Sequence, residues 1–134
     1  MGMTLTWDTT DPNLLYWHCD GEWSWHDYFA TLESLKEELV FRGNDRVDIV
    51  CELSESTMIA PGIVTNLQKN NPTMTADGGW WGITVIVGGG QFAKSSLGIL
   101  KLVNRYLGQR YYDASTVDEA LGIIAQYRVT KMVH

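Results

Sequence analysis

Apolar and polar residues alternate over two stretches near the start of the chain. Leu5 and Trp7 alternate with polar neighbours, and Leu15, Trp17 and Cys19 do the same after a segment rich in turn-forming residues. Alternation with a period of two places every second side chain on one face of a strand. The pattern therefore predicts an antiparallel β-hairpin with one face toward the core.

The apolar spacing then changes to that of a helix. Leucines and a tyrosine recur at intervals of three and four residues between positions 28 and 39. Ser24 and Asp27 have the three-residue spacing of a capping box, and Gly43 is of the type that commonly ends a helix. A helix is therefore predicted from just after Ser24 to Arg42.

Strands and helices alternate along the rest of the chain. Ile83–Val87 is rich in β-branched residues, which is typical of a strand buried on both faces. A long helix is predicted after it, from the spacing of Phe92, Leu97, Leu100, Val103 and Leu107. The other predicted elements, in chain order, are a strand over Val47–Leu53, a loop over Ser54–Met58, a helix from Pro61 to Asn70, a loop over Thr73–Gly79, a helix from Gly90 ended by Gly108, a strand over Arg110–Tyr112 and a helix capped by Ser115.

The order of these elements, β-β-α-β-α-β-α-β-α, predicts the fold class. Strands that alternate with helices form a mostly parallel sheet with right-handed crossovers. We predict a single α/β domain over residues 1–134, with a mixed, mostly parallel sheet and an antiparallel N-terminal edge hairpin.

Composition and charge narrow the classes of function. The chain has 134 residues, of which 45% are hydrophobic, and this excludes a disordered chain. Its net charge of −6 argues against nucleic-acid binding, which needs a basic surface. No apolar run approaches the length of a membrane span and no signal peptide is visible, so we expect a cytoplasmic protein without a membrane partner. Cys19 and Cys51 lie in apolar runs and are predicted to be buried free thiols, with a disulfide between neighbouring strands as the alternative.

Three segments resemble a known family. Asp48–Leu53 resembles the central strand of the STAS domain family, Ile59–Ile63 its loop-to-helix junction, and Asp113–Leu121 its closing strand-to-helix turn. Gly21–Trp25 also resembles STAS-like bacterial proteins of unassigned function. The resemblance extends over nearly the whole chain. It implies the fold of bacterial anti-sigma-factor antagonists and a regulatory role in binding other proteins.

The junction departs from the family pattern. Regulatory members carry a serine there that a partner kinase phosphorylates, whereas residues 59–61 are isoleucine, alanine and proline. None of these side chains before Gly62 can accept a phosphate. Ser54, Ser56 and Thr57 lie just upstream and are the candidates to replace the family's serine.

A glycine-rich turn follows Val87 and leads into a long predicted helix. Gly88–Ser95 is one residue from a phosphate-binding loop, with Ala93 where the pattern has glycine. Free amides at a helix start, together with Lys94, could hold a phosphate. Because no acidic metal-binding strand accompanies it, we favour the simpler interpretation of a strand-to-helix turn.

Metal and catalytic sites are weakly indicated. His18, Asp20 and Glu22 alternate on one strand with His26 nearby, but a solvated strand face has the same pattern. Cys51 could meet a histidine only in three dimensions, and a buried thiol in mid-strand is inert. We therefore expect no metal, no cofactor and no enzymatic activity.

The favoured function is a non-enzymatic regulatory or protein-interaction module that docks to a protein partner or to a second copy of itself. Tryptophans at element boundaries would either contribute to that surface or fill the ends of the core. Lys94, Lys101 and Arg105 share a helix face that could meet an acidic partner. The alternative is a small anionic-ligand or nucleotide binder that uses helix-start amides near Gly62 and Gly90. The candidate binding residues are Trp25, Glu52, Ser54, Ser56, Thr57, Gly62, Trp80, Trp81, Gly88, Gly90 and Lys94.

Overall fold

A five-stranded sheet forms the centre of the protein. The computed structural model describes residues 2–43, 46–58, 61–69 and 79–133. The strands are β1 (Met3–Trp7), β2 (Leu14–Glu22), β3 (Val47–Met58), β4 (Trp81–Val87) and β5 (Tyr111–Ala114), and they lie side by side in that order. β1 and β2 are antiparallel, whereas the other neighbouring pairs are parallel. The predicted mixed sheet with an antiparallel N-terminal pair is confirmed.

Helices cover the two faces of the sheet unequally. Within the described residues they are α1 (Trp25–Arg42), α2 (Ile63–Gln68), α3 (Gly90–Val103), α4 (Arg105–Gly108) and α5 (Val117–Val133). Apolar residues of α1 to α4 form one core with one sheet face, and those of α5 form a second core with the other face. Among the described residues, no helix is long and apolar enough to cross a membrane.

The two elements predicted most sharply have the expected structure. Every residue of β4 is buried, because the sheet is covered on both sides at this strand. At the start of α1, the Ser24 hydroxyl accepts from the Asp27 backbone N–H and the Asp27 carboxylate accepts from the Ser24 backbone N–H. Gly43 ends the helix with a left-handed φ of 66°, which glycine adopts without strain.

The prediction of a loop over Ser54–Met58 is wrong. These residues continue β3 and pair with the end of β2, in a register that includes Asp20 with Glu55 and Gly21 with Ser56. The polar side chains suggested a loop, but backbone pairing with the extended β2 satisfies the N–H and C=O groups of the segment. β3 therefore extends well past the last residue that it pairs with β4, which is Glu52.

The long helix predicted up to Gly108 is interrupted. α3 ends at Val103, and the Asn104 side chain then accepts a hydrogen bond from Leu107 N–H at 3.0 Å to cap the one-turn α4. Asn favours such caps because its short side chain competes with the backbone for hydrogen bonds. The helix predicted from Pro61 begins at Ile63, after Gly62 with a φ of 85°.

The last strand and helix differ from their predicted bounds. β5 covers Tyr111–Ala114 rather than residues 110–112. Thr116, not Ser115, caps α5, since its hydroxyl accepts from Glu119 N–H at 3.1 Å. Two segments lie outside the described residues: Ile59 with Ala60, and residues 70–78. The second segment includes the predicted end of the helix from Pro61 and most of the loop predicted after it.

Candidate functional site

The three hydroxyl candidates at the end of β3 have different environments. Ser56 donates to the Cys19 carbonyl and accepts from Trp23 Nε1, both at 3.2 Å. Its hydroxyl therefore ties β3 to β2. Ser54 and Thr57 are exposed.

Trp25 links the start of α1 to the junction before α2. Its indole Nε1 donates to the Pro61 carbonyl at 2.6 Å, and its ring meets those of Trp23 and Tyr28 edge-on at 5.2 Å. Trp25 is half-buried. Because its indole is bonded to the Pro61 carbonyl, it holds the junction that leads to Gly62 against the start of α1.

The glycine-rich turn lies against the end of β3. A side chain at Gly88 would come within 2.2 Å of Ser54 Oγ, so glycine permits this close approach. Lys94 Nζ lies 3.8 Å from Asp113 Oδ2, and Gly90 is exposed. The structure thus brings Ser54 and Gly88 together, but a carboxylate already faces the lysine proposed for an anion.

The tryptophans mostly belong to the core. Trp23 and Trp81 are buried, and Trp81 Nε1 donates to Thr84 Oγ1 at 2.9 Å. Trp25 and Trp80 are half-buried and pack against the same core cluster. Of the two interpretations given above, these positions support the one in which tryptophans fill the ends of the core.

An apolar cavity lies between the sheet and helices α1 and α2. Its empty volume is about 590 Å³, including a part open to solvent, but only about 50 Å³ is wide enough for the centre of a water molecule. Gly62, Gly88 and Gly90 are not among its lining residues, which are Met3, Trp17, Cys19, Trp23, Trp25, Tyr28, Ile49, Cys51, Leu53, Ile63, Leu67, Thr84, Ile86 and Tyr111.

Both cysteines line this cavity as free thiols, as predicted. The hydrogen bond with Cys19, and then burial, raise the pKa of the Cys51 thiol well above its usual value. The thiolate is the nucleophilic form of cysteine, so a protonated Cys51 is poorly suited to catalysis. Burial likewise raises the pKa of Tyr111 well above its usual value.

A polar cluster lies on the opposite sheet face, around His18. His18 Nδ1 is 3.1 Å from Glu52 Oε2, and Nε2 is 3.7 Å from Glu55 Oε2. One donor atom each from His18, Asp20 and Glu55 lies within 4.8 Å of the others. The alternation in the sequence indicated Glu22 as the third residue of this group, after His18 and Asp20. In the structure, the third residue is Glu55.

Helices α3 and α4 expose a set of large apolar side chains, which we call the α3–α4 face. Leu102 is 86% exposed and Val103 57% exposed, and about half of each remaining member is exposed. The face consists of Phe92, Ile99, Leu102, Val103 and Tyr106. Phe92 and Val103, whose spacing helped to predict the helix, therefore lie on its exposed surface and not in the core.

α3 carries two apolar stripes. Ala93, Leu97 and Leu100 are buried against the sheet, whereas Phe92 and Ile99, seven residues apart, lie on a neighbouring side of the helix. Because an α-helix has 3.6 residues per turn, these two sets of apolar residues lie on different sides of it. The order of apolar residues along the chain does not show which set faces the sheet.

The charge around the α3–α4 face is positive. Residues 90–108 include Lys94, Lys101 and Arg105 and no carboxylate, although the chain as a whole has a net charge of −6. All three cations are exposed. On a helix with 3.6 residues per turn, Lys94 and Lys101 lie on the side of α3 away from Phe92 and Ile99, so the positive charge borders the face only near Leu102.

No protein family model matches the chain, and no curated protein sequence matches it.

Proposed function

We propose that the protein is a non-enzymatic protein-interaction module of the STAS-like type, and that the α3–α4 face is its docking surface. The observation that carries this proposal is the exposure of five large apolar side chains on the two consecutive helices α3 and α4. Contiguous exposed apolar surface on a folded protein commonly marks a contact with another protein. Because Leu102 is the most exposed of the five, it is expected to contribute most when covered.

The occupant of this face is an amphipathic helix of a partner protein, with an apolar stripe flanked by carboxylates. Apolar side chains would cover Leu102 and Ile99, while carboxylates along one edge of the partner helix would meet Lys101 and Arg105. The absence of any acid from residues 90–108 supports this choice, because like charges disfavour a basic partner and a second copy of the same face.

A STAS-like assignment is supported by the sheet of parallel strands joined by helices, together with the three resembling segments. Within this proposal, Ser54 and Thr57 are the candidate phosphorylation sites. Ser56 is less suitable because its hydroxyl is already bonded to Cys19 and Trp23. The protonated Cys51 thiol agrees with a role that involves no covalent catalysis.

Calorimetry with two synthetic peptides tests the docking surface. One peptide is an amphipathic helix with leucines on one side and flanking glutamates, and the other carries lysines in place of the glutamates. We expect the glutamate peptide to bind about tenfold more tightly than the lysine peptide, with an affinity that falls as salt rises. Leu102→Asp should weaken this binding by about tenfold or more.

Val129→Asp is the control, because Val129 is an exposed apolar residue on α5, outside the face. It should leave peptide binding unchanged. Equal binding of the two peptides, or equal loss with Leu102→Asp and Val129→Asp, would contradict the proposal. Concentration-dependent dimerisation abolished by Leu102→Asp would instead identify a second copy as the occupant.

Binding of a small molecule is the second candidate function, and the cavity beneath Trp25 and Tyr28 favours it. Its apolar lining suits an apolar ligand rather than the anionic one suggested by the helix-start glycines. A native mass spectrum in which the protein carries excess mass that is lost on denaturation would support this function. A bare polypeptide would argue against it.

A further inference from the structure

We propose that His18, Asp20 and Glu55 bind a divalent transition-metal ion of the zinc class, and that Glu52 orients His18 for this purpose. This site is separate from the α3–α4 face and does not depend on the proposed function. It lies where β2 and β3 run side by side, on the sheet face opposite the apolar cavity.

The donor atoms are already close to a ligating arrangement. His18 Nε2 and Glu55 Oε2 are 3.7 Å apart, and the donors of all three residues lie within 4.8 Å of one another. Zinc binds imidazole nitrogen and carboxylate oxygen at about 2.0–2.2 Å. Rotations of the exposed Asp20 and Glu55 side chains would bring the donors around one ion, and water would complete its coordination.

Glu52 supplies the outer contact that histidine ligands characteristically make. Its Oε2 is 3.1 Å from His18 Nδ1, so it can accept a hydrogen bond from an N–H on that nitrogen. The lone pair is then on Nε2, the nitrogen that faces Glu55. A carboxylate behind a ligating imidazole fixes the tautomer and strengthens the ligand.

A β-bulge brings Glu55 to this face. His18 pairs with Glu52 and Asp20 pairs with Glu55, so β3 has one more residue than β2 over this interval. Strict alternation would have placed Glu55 on the same side as Leu53, which is buried in the other face. Bulges commonly re-aim a side chain in this way. The extra residue makes Glu55, rather than Glu22, the third donor.

The cluster has an uncompensated negative charge. Among the described residues, no lysine or arginine forms an ion pair with Asp20, Glu52 or Glu55. Elsewhere on the sheet, Asp48 faces Arg128 and Asp113 faces Lys94. A bound cation would supply the missing charge, and the imidazole favours a transition metal over calcium or magnesium.

Calorimetric titration of the metal-free protein with zinc chloride near neutral pH tests the site. We expect saturable binding of one ion per chain. His18→Asn and Glu55→Gln should each weaken it by more than tenfold, and Glu52→Gln by about tenfold. His26→Asn and Glu22→Gln are the matched controls, because neither residue belongs to the cluster, and they should leave the affinity unchanged.

A second measurement on the wild-type protein keeps the test independent of variant folding. In nitrogen NMR of the imidazoles, zinc should shift Nε2 of His18 and leave the ring of His26 unaffected. Absence of saturable binding, or binding that His18→Asn does not weaken, would overturn the proposal. A zinc-induced shift at His26 in place of His18 would overturn it as well.

Discussion

Asp48 shows how a single buried charge is accommodated inside the sheet. Its two carboxylate oxygens accept from Ile83 N–H at 2.9 Å and from Arg128 Nε at 2.7 Å. Gly82 leaves room for it, because a side chain there would come within 1.9 Å of Asp48 Oδ1. The acid is predictable as a polar residue in an apolar strand, but its partner is 80 residues away in sequence and cannot be read from a local pattern.

Replacing Asp48 should therefore be costly. We expect Asp48→Asn to lower the free energy of unfolding by about 3 kcal/mol, because it breaks an ion pair that is buried at one end. Asp113→Asn is the control, since its partner Lys94 is largely exposed and 3.8 Å away, and it should change stability by less than about 0.5 kcal/mol. Denaturant unfolding measures both, and equal effects would contradict this interpretation.

Asp8 provides a prediction for acid pH. Hydrogen bonds from the backbone N–H groups of Asp11 and Thr10, and from the Tyr16 hydroxyl, lower the pKa of the Asp8 carboxyl to about 2. Because this value lies below the usual one, the bonds stabilise the folded state above about pH 4 and their contribution is lost as the pH falls toward 2. A carboxyl NMR titration should give the low pKa directly.

Asp8→Asn should remove this part of the acid dependence. Its stability should be lower than that of the wild type near neutral pH, and the difference should shrink as both are acidified through the same range. An Asp8 carboxyl that titrates at the ordinary value for aspartate would contradict the hydrogen-bonding scheme.

At the scale of elements, α5 allows a sharp test of capping. Thr116 accepts the Glu119 N–H, whereas the Ser115 backbone N–H donates to Glu119 Oε1. Thr116→Ala should destabilise the protein by about 1 kcal/mol, because it leaves a helix N–H without its partner. Ser115→Ala keeps the backbone donor and should have little effect. Thermal unfolding of the two variants distinguishes the observed cap from the one predicted by sequence.

Elements with strong local signals were predictable, and those set by pairing were not. The cap and end of α1 and the buried strand β4 follow from Ser24, Gly43 and a β-branched run. The polar end of β3 is a strand only because β2 runs beside it up to Glu22. Its bulge then decides which face carries Glu55, and no pattern within β3 signals that position.

At the scale of the molecule, the class of sheet was predictable but the principal exposed surface was not. Alternating strands and helices imply a mostly parallel sheet whatever the details of packing. The side of α3 that meets the sheet depends on tertiary contacts, and both sides of this helix are apolar. Tryptophan was therefore a poor guide to the surface, whereas Leu102 and Ile99 were overlooked.

The most direct test of the proposed docking surface is an amide NMR map of the wild-type protein titrated with the glutamate-flanked peptide. The account predicts that the largest shifts fall within residues 90–108, centred on Ile99 and Leu102. The lysine-flanked peptide, which should bind about tenfold more weakly, should give smaller shifts in these signals at the same concentration. The absence of shifts in this segment, or shifts concentrated at Trp25 and Cys51 in the cavity, would contradict it.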